Sequence, residues 1–264
     1  MKQAYFAKTH RWCWALILCT TLAWLSLPRP VQASQASRPA AQSPQVAARL
    51  ALASAYFDAA QYAVALEETE IALLAAPLDV QALGLKALLL HRMQEPALAE
   101  ATFLQASALA PHDAALSHNL GVFYCEQQRF EQAYDRFATA LQQTLYQDKA
   151  KTNWVWGLCL SQNQLWPSAA MHMELALKLK PSWVLDSLPL AQAQLKLGRA
   201  GEAEKTLRAI NASQSISAQS LWMAIQLAQA GQQSDQVSQW GKMLGLQFPM
   251  SPQWSAYQRE AFHE

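Results

Sequence analysis

A chain of 264 residues with 52% hydrophobic and 15% charged residues has ample apolar material for a continuous core. Strand-forming runs are nearly absent, and alanine, leucine and glutamine dominate, which favours helices and excludes a sheet-based fold. The formal net charge of +1 hides a split: the first 33 residues hold 4 of the 20 basic residues and none of the 19 acidic ones, leaving 16 basic against 19 acidic beyond them. No basic stripe emerges, so nucleic acid is not an expected partner.

Residues 1–33 read as a secretory signal peptide. Lys2, Lys8 and Arg11 precede a mostly apolar run from Trp12 to Leu27, and Val31-Gln32-Ala33 offers a small-residue cleavage site. An uncleaved anchor is the alternative, but the run is short for a span of about 20 residues. Residues 34–45, rich in serine, glutamine, alanine and proline, read as a flexible linker.

From residue 46 the chain repeats. Ala65, Ala99 and Ala133 are 34 residues apart, Ala169 follows after 36 and Ala203 after another 34. Upstream of each lies a bulky-small pair with a third residue three further on: Leu52-Ala53 with Tyr56, Lys86-Ala87 with Leu90, Leu120-Gly121 with Tyr124, Trp156-Gly157 with Leu160, Leu190-Ala191 with Gln194. Downstream lie Thr69, Phe103, Phe137, Met173 and Leu207. Small residues let two antiparallel helices cross closely, and the bulky ones fill the space around the crossing. Leu120, Gly121, Tyr124, Ala133 and Phe137 reproduce most fully the Leu-Gly, Tyr, Ala and Phe positions of a tetratricopeptide (TPR) repeat. One hairpin cannot bury its own apolar face, so neighbours must stack on it. The expected fold is all-α: a TPR solenoid, a right-handed superhelix of about six hairpins, at 46–79, 80–113, 114–147, 150–183, 184–216 and 217–249. In the sixth, Met223-Ala224 with Leu227 is read as the first-helix signature, with Trp240 in phase and Gln236 in place of the small residue. Residues 250–264 form a capping helix or tail, with Ser251 and Pro252 suited to open a helix.

Several local features bear on this frame. Pro96 suits the start of a second helix, where the first amide is unbonded anyway. Pro189, inside the first helix of repeat five, predicts a late start or a kink. The connection 143–149 is two residues longer than the period, and insertions in solenoids fall on one edge. Cys125 and Cys159 lie on the first helices of repeats three and four; the pair is either a disulfide, which an oxidising compartment permits, or two buried thiols acting as small apolar fillers.

No catalytic, cofactor-binding or metal-binding constellation appears, and an enzyme is not expected. Among the six histidines, His112 and His118 are the tightest group, yet a spacing of six puts them on opposite helical faces. Phosphate loops, nucleophile elbows and paired metal-binding histidines are absent. The first helices of a TPR stack line its concave side. Their inward positions hold Leu50, Phe57, Leu88, His91, Arg92, His118, Val122 and Trp154, an apolar strip with a few polar groups. Such a strip either docks a partner segment or packs on its own neighbours.

Two stretches are more specific than a generic repeat: Asn119-Leu-Gly-Val-Phe-Tyr-Cys-Glu-Gln-Gln-Arg-Phe130 with Thr144-Leu145-Tyr146 and Gly157-Leu158-Cys159, and Ser220-Leu221-Trp222 through Gln247-Phe248-Pro249. In these the chain resembles the type IV pilus biogenesis/stability proteins, the PilF/PilW group of TPR secretin pilotins. The resemblance implies a non-enzymatic periplasmic adaptor that helps the outer-membrane secretin localise and assemble its multimer by protein–protein binding. A general envelope scaffold for cell-wall or export machinery is the alternative. One feature departs from the group, whose members are mostly lipoproteins with a small residue before a lipid-bearing cysteine. Here Leu18 precedes Cys19, which argues against a lipid and leaves either a soluble periplasmic protein or one brought to the outer membrane by a partner.

Overall fold

The computed structural model describes residues 43–262. The signal peptide read at 1–33, most of the linker and Cys19 lie outside the described residues. Among the described residues the chain is helical, without strands. Six hairpins follow one another: α1 (Pro44–Asp58) with α2 (Tyr62–Ala75), α3 (Val80–Arg92) with α4 (Pro96–Leu109), α5 (Ala114–Glu126) with α6 (Phe130–Gln142), α7 (Lys149–Gln162) with α8 (Trp166–Leu179), α9 (Leu188–Lys196) with α10 (Ala200–Asn211), and α11 (Ala218–Ala230) with α12 (Ser234–Gln247). A short α13 (Pro252–Gln258) closes the stack. The first helix starts at Pro44, two residues before the expected boundary, because Ser43 caps it by accepting from the Val46 amide.

The two helices of a hairpin begin differently. Asp79, Asp113 and Ser217 cap α3, α5 and α11 through their side chains. The second helices α2, α4, α6, α8, α10 and α12 have no such cap. They follow a tight turn whose left-handed residue is Ala60, Gln94, Gln128, Gln164, Gly198 or Gln232 in the successive repeats. Repeat five departs from the others: a 3-10 helix over Pro181–Asp186 replaces the opening turns, and α9 starts at Leu188 with Pro189 in its first turn. A proline there forfeits no helical hydrogen bond.

Each hairpin carries at the same register a buried residue pair spaced sixteen apart: Ala53 and Thr69, Ala87 and Phe103, Gly121 and Phe137, Gly157 and Met173, Ala191 and Leu207, Ile225 and Gly241. All twelve are buried. A Cβ on Gly121 would stand 2.7 Å from the Phe137 ring, and one on Gly157 2.6 Å from Met173 Cγ. In five hairpins the small member sits on the first helix. Repeat six inverts the pair, and that corrects the register read from sequence. Its crossing residues are Ala224, Ile225 and Ala228, one position later than Met223, Ala224 and Leu227. The small-residue position is filled by Val237, not Gln236. Gln232 in the left-handed turn, 34 residues after Gly198, fixes the count independently. Gly241 and Gly245 of α12 then leave room for the rings of Tyr257 and Trp254, which seat α13 on the last repeat.

Candidate functional site

The first helices touch in succession, α1 to α3, α3 to α5 and α5 to α7, and so line one side of the stack. The strip predicted for this side is partly present there and partly withdrawn. Phe57, Leu88, His91, Val122 and Trp154 are half-buried, and Arg92 is exposed. Phe57 tilts against Tyr62 at 5.6 Å. Leu88 and Val122 rest on the central core of repeats two to four, and Trp154 leans on a cluster that includes Leu190 and Ala193. Leu50 is only 8% exposed, packed with Val46, Ala72 and Ala82, and edges a hollow of about 260 Å3 between α1 and α3 bordered by Ala47, Ser54, Gln81 and Leu85.

His91 meets the Phe123 ring edge-on at 5.1 Å, and its Nε2 lies 2.5 Å from Glu126 Oε2, tying α3 to α5. His118 does not face a groove at all: it is 4% exposed. The two-residue insertion explains why. Tyr146 folds back so that its hydroxyl lies 3.0 Å from Thr152 Oγ1, which lies 2.9 Å from His118 Nδ1. Burial, reinforced by the Lys151 charge, lowers the His118 pKa to about 4, so the ring is neutral at physiological pH. At the other end of the same two helices Cys125 and Cys159 form a disulfide with Cα atoms 5.9 Å apart. Of the two sequence readings of this pair, the disulfide is the one the structure contains.

Sequence reasoning missed three further sets of contacts. Trp156 stacks on His172 at 4.0 Å, and His172 Nδ1 lies 2.9 Å from Asn153 Oδ1. Arg129 donates to Glu100 at 2.6 Å while lying over the Tyr124 ring at 4.4 Å; its hydrogen bond holds the Glu100 carboxyl below its ordinary range. A cavity of about 230 Å3 opens between α10 and α12, because Ala224 and Ala228 stand where other repeats place Leu120 and Tyr124. The small residues of repeat six were the signal for this cavity. Trp156 and His172 keep the sixteen-residue spacing, each one position before the crossing pair Gly157 and Met173, which is the signal that could have found them, whereas Arg129 and Glu100 lie in different repeats and had no local signal.

None of these groups is arranged as a nucleophile with its base. Among the described residues no cluster of His, Cys, Asp or Glu has metal-binding geometry, and no helix is long and apolar enough to cross a membrane. Stacked hairpins in this register, with a lined inner side, define a TPR protein, a class whose surfaces bind other polypeptides. No family model matches the chain. It is homologous to the type IV pilus assembly protein PilF of Pseudomonas aeruginosa, 27% identical over 184 residues that make up 70% of this chain and 73% of that protein. The fold is similar to the solved structure of Pseudomonas aeruginosa PilF, with a TM-score of 0.72 at 25% identity over 82% of this chain and 97% of that one. It is also similar to PilW, described as a widely conserved type IV pilus biogenesis factor, with a TM-score of 0.70 at 20% identity over 81% and 98% of the two chains. YrrB, a TPR protein with an unusual peptide-binding site, shares the fold at a TM-score of 0.61 and 16% identity, over 72% of this chain and 97% of that one.

Proposed function

We propose that the chain is a non-enzymatic adaptor of type IV pilus biogenesis in the cell envelope, which helps the outer-membrane secretin to localise and assemble by binding it. The homology to PilF across 70% of the chain carries this reading. The leader read at residues 1–33 would deliver the chain to the periplasm. The binding surface in this proposal is the first-helix side from α1 to α7. Phe57, Leu88, Val122 and Trp154 supply apolar contact, His91 and Arg92 flank it, and Leu50 floors the hollow between α1 and α3. His118 belongs to the frame behind that surface.

Two experiments test it. Deleting the gene should abolish surface pili and heat-stable secretin multimers; wild-type levels of both would end the pilus reading. Phe57→Asp or Trp154→Asp should weaken capture of the secretin from envelope extracts while helical content stays constant. Undiminished capture by both variants would assign binding to another face.

A further inference from the structure

The solenoid has two chemically different rims. Successive first helices run in the same direction, so every turn within a repeat lies on one rim and every connection between repeats on the other. On the within-repeat rim Gln94, Gln128, Gln164 and Gln232 stand exposed at the left-handed turns, and the apolar side chains there are only partly bare: Met93 at 39%, Leu165 at 43% and Leu98 at 56%. On the between-repeat rim stand the five most exposed large apolar side chains among the described residues: Leu74 at 83%, Leu78 at 64%, Leu145 at 86%, Leu246 at 83% and Met250 at 94%. Leu246 and Met250 occupy in repeat six the positions of Leu74 and Leu78 in repeat one, so both ends of the stack carry the same pair, and the insertion puts Leu145 between them. Single exposed leucines need no explanation. Five that share one rim, each barer than any apolar side chain of the opposite rim, do.

We propose that the between-repeat rim is a membrane-facing edge that sinks these side chains into the interfacial zone of a phospholipid bilayer. The spacing favours lipid over protein. The side chains fall into three separate groups, at repeat one, at the insertion and at repeat six, with proline, alanine and polar residues between them, so they form no continuous apolar core for a folded partner to cover. A fluid bilayer accepts each one separately. The charges fit as well. Exposed Lys178 and Lys180 flank Leu179 on this rim, and Lys180 lies 5.1 Å over the Trp183 ring, a pairing of cation and indole suited to the lipid–water boundary and to anionic headgroups. Asp79 and Asp113 on the same rim turn their carboxylates to the amides of Ala82 and Leu116. Asp148 and Asp186 are exposed there, set against Lys149, Lys178 and Lys180. The mode is peripheral: no described helix is long and apolar enough to cross a membrane.

The test keeps the whole chain, so that anything residues 1–42 contribute is common to every sample. Photo-reactive benzoylphenylalanine is placed at 145 or 250 on one rim, and at 128 or 164 on the other. Each protein is irradiated with vesicles of phosphatidylethanolamine containing a quarter phosphatidylglycerol, and separately in cells. The expected result is phospholipid adducts from 145 and 250 in several-fold excess over 128 and 164. In parallel, Leu145→Ser with Met250→Ser should lower vesicle partitioning by about tenfold, since burial of even part of two such side chains supplies that factor; Gln128→Ser with Gln164→Ser should leave it unchanged. Equal adducts from the two rims, or partitioning untouched by the Leu145 and Met250 replacements, would overturn the proposal. So would adducts from 145 and 250 that are protein in cells and absent on vesicles, which would make the rim a protein interface.

Discussion

Gly121→Leu tests the crossing that defines the central repeat. A Cβ alone at this position would stand 2.7 Å from Cε1 and 2.8 Å from Cδ1 of Phe137, and Phe137 is fully buried. Leucine gains about 1 kcal/mol over glycine as a helix former. Against that, forcing a side chain into a filled crossing costs about 1–3 kcal/mol, and here the first atom already overlaps, so the upper end applies. The expected net loss is about 2 kcal/mol. In a helical unit of this size that lowers the melting temperature by roughly 4–8 °C. The assay is thermal denaturation followed by circular dichroism at neutral pH, run on Gly121→Leu, Phe137→Ala and the pair together. Phe137→Ala alone costs about 3–5 kcal/mol through its cavity. The double variant should recover part of it, because the new leucine fills the vacated space, with a coupling of at least about 1 kcal/mol. An unchanged melting temperature for Gly121→Leu, or strict additivity in the pair, would refute the assignment of these residues as the crossing.

Three other outcomes follow from the same structure. Replacing Cys125 and Cys159 with serine should cost about 3–4 kcal/mol, the chain-entropy value for a closed loop of 34 residues, and reductant should lower the melting temperature of the wild type but not of the variant. His118 gives an acid-side slope. Its folded pKa of about 4 lies below the ordinary histidine value, so the unfolded chain binds the extra proton first and stability falls as pH drops from about 6.5 toward 4. The loss should reach about 2–3 kcal/mol at pH 4.5 in urea titrations, and His118→Asn should flatten that part of the profile; an unchanged slope in the variant would assign the acid sensitivity elsewhere. Gln128 holds a left-handed backbone at φ 58°. Because that region costs a non-glycine residue about 1–2 kcal/mol and glycine's added freedom in the unfolded chain returns part of it, Gln128→Gly should raise stability by about 0.5–1 kcal/mol in the same titrations.

The hairpins were legible because their determinants are local and recur: a small residue, a bulky one sixteen positions on, and a proline or cap where the helix must stop or start. The register of repeat six was misread for a physical reason. Its pair is inverted, so Ala224 imitates the small residue that the first helix no longer carries, while the true small residue, Gly241, lies on the second helix beneath Tyr257. The candidate surface was less legible. Inward phase along a helix says where a Cβ points and nothing about what arrives from elsewhere. Leu50 and His118 share the inward phase with Phe57 and Trp154, but α2 and α3 cover the first and the inserted Tyr146 closes over the second. The exposed rim escaped notice because Leu74 lies beside Leu73 in α2 and Leu246 two residues after Leu244 in α12, and only packing distinguishes a covered leucine from a bare one.

The insertion and the cysteine pair act on the same joint. Two extra residues between α6 and α7 would ordinarily loosen the stack there, since a longer connection constrains the next hairpin less. The joint is instead fixed at both ends of the facing helices. Near their starts, Tyr146, Thr152 and His118 make a buried hydrogen-bonded chain, and near their ends Cys125 and Cys159 are covalently joined. Two attachments about two turns apart along α5 resist both sliding and splaying of α7, which neither does alone. The inner side at α5 and α7 is thereby held in one shape before any partner arrives. A surface ordered in advance loses little conformational freedom on binding, so more of its contact energy appears as affinity. Reduction should therefore weaken partner capture more than it weakens helical content, a difference that appears when the two are measured on the same sample.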